Sequence, residues 1–200
     1  MDNGLHEELQ SACHRPHSTE KALLKVQSIL DSLGNGCVTL LFMLDLSAAF
    51  DTPDHGIMLS RFENVFGISG AALNCFQVVV IDSEHSKPVL LKYGVPQGSV
   101  LDPKKYTMYA KPLEAIIRKH GLSYHFYADD TQLYISFKPK GDAVKAQSLS
   151  LIENCLTDIE GWMRINMLKL NSDKTEVMLF TSKHNAIHMK NVTVVLVTLI

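Results

Sequence analysis

Two adjacent aspartates, Asp129 and Asp130, stand between segments that alternate apolar and polar residues as the arms of a hairpin do. One arm carries Leu122, Tyr124, Phe126 and Ala128 with Ser123, His125 and Tyr127 between them. The other carries Leu133, Ile135 and Phe137, with Gln132, Tyr134 and Ser136 around them. Neighbouring carboxylates repel, so a site that holds both usually holds a cation as well. Alone, the pair fits a solvated turn better, because aspartate tolerates turn geometry. A further carboxylate changes the reading. Cys37 to Leu44 is nearly all apolar and β-compatible, as a strand covered on both faces is, and it ends at Asp45. Nucleotidyl transfer often uses two divalent ions roughly 3.5–4 Å apart, one activating the attacking oxygen and one stabilising the leaving oxygen. Magnesium takes one or two protein carboxylates beside substrate phosphates, so Asp45, Asp129 and Asp130 are a sufficient set. An aspartate that merely caps a strand end is the plainer alternative for Asp45.

The third feature is Gly94-Val95-Pro96-Gln97-Gly98-Ser99, a loop whose glycines let the backbone approach a ligand and whose Ser99 suits the cap of a following helix. A strand ending in an acid, a Gly-Pro-Gln-Gly loop and a Tyr-Ala-Asp-Asp hairpin, in that order, form the pattern of a polymerase palm. The elements that must hold these residues are legible around them. Ser18 caps a helix with the stripe Leu23, Val26, Leu30 and Leu33, ended by Gly34 and Gly36. Asp54 caps a helix carrying Leu59, Phe62 and Phe66, and Ser69 opens another through Leu73, Phe76 and Val80. Leu151, Cys155, Ile159 and Trp162 mark a long helix, and a strand from Glu176 to Phe180 follows. Mixed strands and helices in this order give an α+β fold with an antiparallel sheet and packed helices.

With 200 residues, 46% hydrophobic and 20% charged, the chain can bury one sizeable core. Cys13, Cys37, Cys75 and Cys155 show no paired spacing, and no charged-then-apolar leader opens the chain. An intracellular setting is expected, nucleus or cytoplasm rather than secretion. Cys13, His14 and His17 resemble half a zinc site but have no second ligand pair. The net charge of −2 sits awkwardly with a nucleic-acid enzyme, since Lys and Arg contacts to phosphate supply most non-specific affinity. Arg118 with Lys119 and Lys138 with Lys140 are the local basic clusters. Val192 to Ile200 is apolar and β-branched, but a membrane span needs about 20 residues, so it reads as a strand and no membrane association is expected.

The stretch Leu44-Asp45-Leu46-Ser47-Ala48-Ala49-Phe50-Asp51-Thr52 resembles the first palm motif of reverse transcriptases from non-LTR, LINE-like retrotransposons. Gly94 to Leu101 is similar to their second motif, Phe126 to Tyr134 to the third, and Leu170-Asn171-Ser172-Asp173-Lys174-Thr175-Glu176 to the fourth. Gln10 to Leu24, including Arg15-Pro16-His17-Ser18-Thr19-Glu20, resembles the segment before the palm. The likeness runs from about residue 5 to about 182, and the ordered set is far more specific than any one block. It implies Asp45, Asp129 and Asp130 as metal-binding carboxylates, with two Mg2+ ions as cofactors, Mn2+ being an alternative. It implies Phe50 against the sugar of the incoming nucleotide, where a ring would clash with a 2′-hydroxyl. Gln97 and Gly98 would lie along template and nucleotide, Arg15 would contribute to binding, and Lys174 would protonate the departing pyrophosphate. From the residues alone, Phe50 is equally a core phenylalanine and Lys174 a turn lysine.

The resemblance also implies partners and domain limits. An RNA template, a DNA primer and deoxynucleoside triphosphates are the expected partners. Residues 1–36 would be a remnant of the fingers and pre-palm segment, 37–182 the palm, and 183–200 a divergent C-terminal tail. The fingers would be incomplete and the thumb absent, with no endonuclease before Met1. Asp102 replaces a glycine, and Lys104 and Lys105 replace apolar residues, on what should be a core helix. Because burying an unpaired charge is costly, that helix is expected to turn outward or to pack poorly. The segment from Gln77 to Tyr93 is shorter than in the family. Template-directed addition of deoxynucleotides to a primer is the function expected. An inactive retrotransposon relic that at most binds nucleic acid or a protein is the alternative, and an unrelated metal-dependent phosphotransferase is a third reading.

Overall fold

Local sequence decides most element boundaries in the computed structural model, which describes residues 19–47, 49–74, 80–81, 84–85, 92–94, 102–127, 130–139 and 141–189. In chain order these are helix α1 Thr19–Gly34, strand β1 Val38–Leu44, strand β2 Leu46–Ser47, helix α2 His55–Asn64 and helix α3 Gly70–Asn74. Strands β3 Val80–Ile81 and β4 Glu84–His85 follow, then helices α4 Asp102–Ala110 and α5 Pro112–Lys119. The chain continues through strands β5 Ser123–Tyr127 and β6 Asp130–Phe137, helix α6 Asp142–Ile165, strands β7 Lys169–Leu170 and β8 Glu176–Phe180, and helix α7 Lys183–Ala186.

The principal sheet has the order β5-β6-β1-β8, with antiparallel neighbours throughout. β1 lies between β6 and β8, and nearly every residue from Val38 to Leu44 is buried, as its unbroken apolar composition requires. Helix α6 packs against β6 and α5. Its buried residues Ile152, Cys155, Leu156, Ile159 and Met163 recur at helical spacing. Leu151 and Trp162, expected at the centre of that stripe, flank it half-buried. Val38, Phe42, Leu133, Ile152 and Ile159 are fully buried, and each such side chain contributes about 1.5–3 kcal/mol of transfer free energy before entropic costs.

Three expectations need correction. In α1 the packed side of the last turns is Ile29 and Leu33, while Leu30 is 52% exposed. Positions four apart share a face, so Leu33 of the expected stripe packs with Ile29 and Leu30 falls beside it. The helix expected from Ser69 to Val80 ends at Asn74, and Val80 instead pairs with His85 in β3 and β4. The β-branched run Val78-Val79-Val80-Ile81 favours strand over helix. Finally, α4 neither turns away nor packs poorly. Asp102 and Pro103 are residue types that suit a first helical turn, Lys104 points to solvent, and Lys105 is buried with an interaction of its own. Tyr106 and Tyr109 fill the core beneath.

After β8 the chain stays on the body. Asn185 Nδ2 donates to the carbonyl of Gly36 at 3.0 Å, and Met189 is buried in the core. Among the described residues, no helix is long and apolar enough to cross a membrane.

Candidate active site

The β1–β6 ladder runs from Val38 opposite Phe137 to Leu44 opposite Thr131. Asp45 directly follows the last residue of β1 and Asp130 opens β6 beside it, so both fall at the same end of the sheet. The β5–β6 hairpin closes on the pair Tyr127 and Asp130, which leaves Ala128 and Asp129 as its connection. Those two residues are outside the described set. Two carboxylates on adjacent strand ends are thus an outcome of pairing register, which the buried faces of both strands hold against slippage.

Lys174 reaches the same place by another route. β2 continues from Asp45 and pairs with β7, Leu46 opposite Leu170 and Ser47 opposite Lys169. Past β7 the backbone N–H of Asn171 donates to the Asp45 carbonyl at 2.9 Å. The carbonyl of Asn171 then accepts from the N–H of Lys174 at 3.2 Å, the N–H of Thr175 at 2.9 Å and the Thr175 hydroxyl at 2.8 Å. This closed turn aims Lys174 at the acid, with Nζ 3.8 Å from Asp45 Oδ2. The ammonium is 71% exposed and the carboxylate 26%, so the contact is screened and serves as placement more than as a source of stability.

Phe50 is half-buried, its ring 5.3 Å from that of Tyr106 on α4 and tilted by 48°. Its segment is also held from the other side. The N–H of Gly94 donates to Pro53 O at 2.9 Å, the N–H of His55 donates to Lys92 O at 3.0 Å, and Asp54 and Tyr93 form a bridge. Gly94 has φ +90°, and a Cβ there would come within 3.3 Å of the Asp51 carbonyl oxygen. The position therefore needs glycine on both conformational and steric grounds. Asp54 also caps α2, its Oδ1 accepting from the N–H of Ile57 at 2.9 Å.

The structure brings Lys174 to Asp45, places Asp130 at the same sheet end and sets Phe50 on the segment that follows. Asp129, Gln97, Gly98, Arg15 and the Cys13, His14 and His17 group lie outside the described residues. Among the described residues, no group of three or more His, Cys, Asp and Glu is placed to hold a metal ion. Asp45 and Asp130 nonetheless suit magnesium in kind, being hard oxygen donors on adjacent strand ends beside which phosphate oxygens complete a coordination shell.

Sequence reading missed the support behind this end of the molecule. Arg61 on α2 donates from Nη1 to the Tyr109 carbonyl and from Nη2 to Asn166 Oδ1 at 2.7 Å, with its guanidinium over the rings of Tyr109 and Trp162. Tyr109 donates its hydroxyl to the Asn166 carbonyl at 2.6 Å, and Asn166 Nδ2 donates to Trp162 O at 2.7 Å. Burial pulls the Arg61 pKa down, countered in part by Tyr109, and burial likewise raises that of the Tyr109 phenol. The knot ties α2 and α4 to the end of α6, from which the Lys174 turn departs. An arginine inside an amphipathic helix and an asparagine after a tryptophan were the available signals, and neither identifies its partner. Of the expected basic clusters, Arg118 and Lys119 are engaged within the fold, and Lys140 of the other lies outside the described residues. Arg118 pairs with Glu114 at 2.7 Å and donates to the Tyr124 hydroxyl, and Lys119 pairs with Asp158 at 2.9 Å.

A family model described as reverse transcriptase (RNA-dependent DNA polymerase) matches residues 4–196. The chain is 29% identical over 153 residues to a Drosophila melanogaster protein named probable RNA-directed DNA polymerase from transposon BS. That alignment takes in 70% of this chain but only 16% of the relative. In fold, the chain is similar to apo telomerase from Candida tropicalis truncated from the C-terminal domain, with a TM-score of 0.54 at 10% identity over 87% of this chain and 36% of that one.

Proposed function

Because this chain belongs to the reverse transcriptase (RNA-dependent DNA polymerase) family, we propose that it forms the palm of a retrotransposon enzyme of LINE-like type that adds deoxynucleotides to a primer on an RNA template. The observation that supports this reading is the 3.8 Å approach of Lys174 to Asp45 at the sheet end where β6 opens with Asp130, residues from three separate parts of the sequence. In the domain division that accompanies it, residues 1–36 belong to the fingers and pre-palm segment, 37–182 form the palm and 183–200 the tail.

Asp45, Asp129 and Asp130 would hold the divalent ions, Mg2+ or Mn2+, which when bound supply charge neutralisation at the attacking and leaving oxygens. The chain's own residues divide the remaining work. β1 and β6 fix Asp45 and Asp130 relative to each other, so the carboxylates meet the substrate preorganised. Lys174, exposed at its tip but anchored at its backbone, donates a proton to the departing pyrophosphate. Phe50, braced by Tyr106, presents its ring to the sugar of the incoming nucleotide. Gln97 and Gly98 lie along template and nucleotide, and Arg15 contributes from the pre-palm segment.

Primer extension on an RNA template with magnesium tests the proposal. Asp45→Asn should lower extension by at least about 1,000-fold while thermal unfolding is unchanged, because it removes a charge aimed at the reacting oxygens and leaves the side-chain shape. Extension unaffected by that substitution, or by Asp129→Asn, would sink the assignment. The net charge of −2 provides little electrostatic attraction for a template and so favours a second reading, an inactive relic that copies nothing and at most binds nucleic acid or a protein partner. Salt-sensitive RNA binding without extension, in a chain that unfolds cooperatively, would support it.

A further inference from the structure

The segment from Phe50 to His55 is clamped on two sides, and His55 closes the clamp. On one side stands α4, with Tyr106 against the Phe50 ring and the Tyr109 hydroxyl 3.4 Å from the N–H of Asp54. On the other lie Lys92 to Gly94, joined to the segment by the backbone bonds already described. His55 is 9% exposed, and its Nε2 lies 2.6 Å from the Gly94 carbonyl oxygen. A carbonyl only accepts, so Nε2 carries the proton and donates it. This bond is a side-chain link between the two stretches. It fastens Gly94 at the point where its Cα approaches the carbonyls of Phe50 and Asp51. The spacing matters because Phe50 has no hydrogen bond through its ring. Its placement rests on the backbone beneath it and on Tyr106 beside it, and loosening Gly94 removes the backbone support.

We propose that His55 is a positioning residue for nucleotide-sugar discrimination: its hydrogen bond to Gly94 holds the Phe50 segment against α4. The proposal rests on the polymerase reading above. His55 itself touches neither nucleotide nor metal carboxylate in this arrangement, so its removal should move selectivity before it moves turnover. Losing one buried hydrogen bond of this kind corresponds to roughly a tenfold effect.

The test compares His55→Ala with His55→Gln, whose Nε2 can reproduce the donor. His55→Ala should cut the preference for deoxynucleoside over ribonucleoside triphosphates by roughly tenfold and raise KM for the deoxynucleotide more than it lowers kcat. His55→Gln should restore both. Limited trypsin digestion read by mass supplies a measure independent of activity: the fragment ending at Lys92 should appear faster in His55→Ala and at the wild-type rate in His55→Gln. A fall in kcat with sugar preference unchanged overturns the proposal, as does a His55→Gln protein that behaves like the alanine variant. A wild-type chain that extends no primer overturns the polymerase reading and the sugar role together. Faster cleavage after Lys92 in His55→Ala alone would then still separate a true clamp from a failed one.

Discussion

The carboxylates and the lysine of this site are held by regions of very different stiffness. Asp45 and Asp130 stand at the end of the central β1–β6 pair, seven residues of continuous ladder in which almost every β1 side chain is buried. Lys174 hangs from a turn between the two-residue β7 and the sheet-edge strand β8, where Met178 and Leu179 are 39% and 42% exposed. The contrast suits the roles proposed for them. Charges that must match reacting oxygens lose much of their effect when displaced by an ångström, whereas a proton donor on a long side chain can find its acceptor by rotation. The backbone bond from Asn171 to the Asp45 carbonyl, between the β2–β7 and β1–β8 pairings, ties the turn to the central ladder.

The comparison can be broken in stages. Phe42→Ala in the centre of β1 should lower stability by about 3–5 kcal/mol in denaturant unfolding, and extension should fall with the folded population. A loss below about 1 kcal/mol would show that the centre is not the rigid half. Lys174→Ala should reduce extension by roughly 100-fold, with unfolding unchanged. If extension keeps the wild-type rate, Lys174 is a placement contact only. Leu179→Ala on the exposed edge should change stability by less than about 1 kcal/mol and leave extension at the wild-type rate.

The smallest effect is electrostatic and lies away from the site. Hydrogen bonds from Lys119 and then His120 hold the Asp158 carboxyl below its ordinary value of 3.8. A carboxyl depressed by folding stabilises the folded state above the unfolded-state pKa, and that contribution disappears as pH falls through the folded-state pKa. Asp158→Asn should therefore flatten the acid limb of the stability curve and change little else. In the same helix, burial and then the charge of Asp158 push the Cys155 thiol up to about 12, so it should resist alkylation while the half-exposed Cys37 reacts.

Periodicity made the strand from Cys37 to Leu44, both arms of the hairpin and the strand from Glu176 to Phe180 readable, because each pattern answers to one burial environment. It assigned Leu30 rather than Ile29 to the packed side of α1 and extended a helix into Val80, where apolar content alone does not separate helix from strand. Lys105 shows a different limit. A buried lysine looks like damage in sequence, and only its surroundings reveal that it has an interaction.

By itself the sequence determined which residues could do chemistry and in what order, since acids, lysine, glycines and apolar runs carry their preferences locally. It determined the family as well, because the ordered motifs are specific together. Only the tertiary structure decided that Asp45 and Asp130 share one sheet end, that Lys174 comes within 3.8 Å of Asp45, and that His55 fastens Gly94 beside Phe50. Those relations depend on strand register and on hydrogen bonds between residues distant in sequence. Local preference says nothing about them until the core has closed.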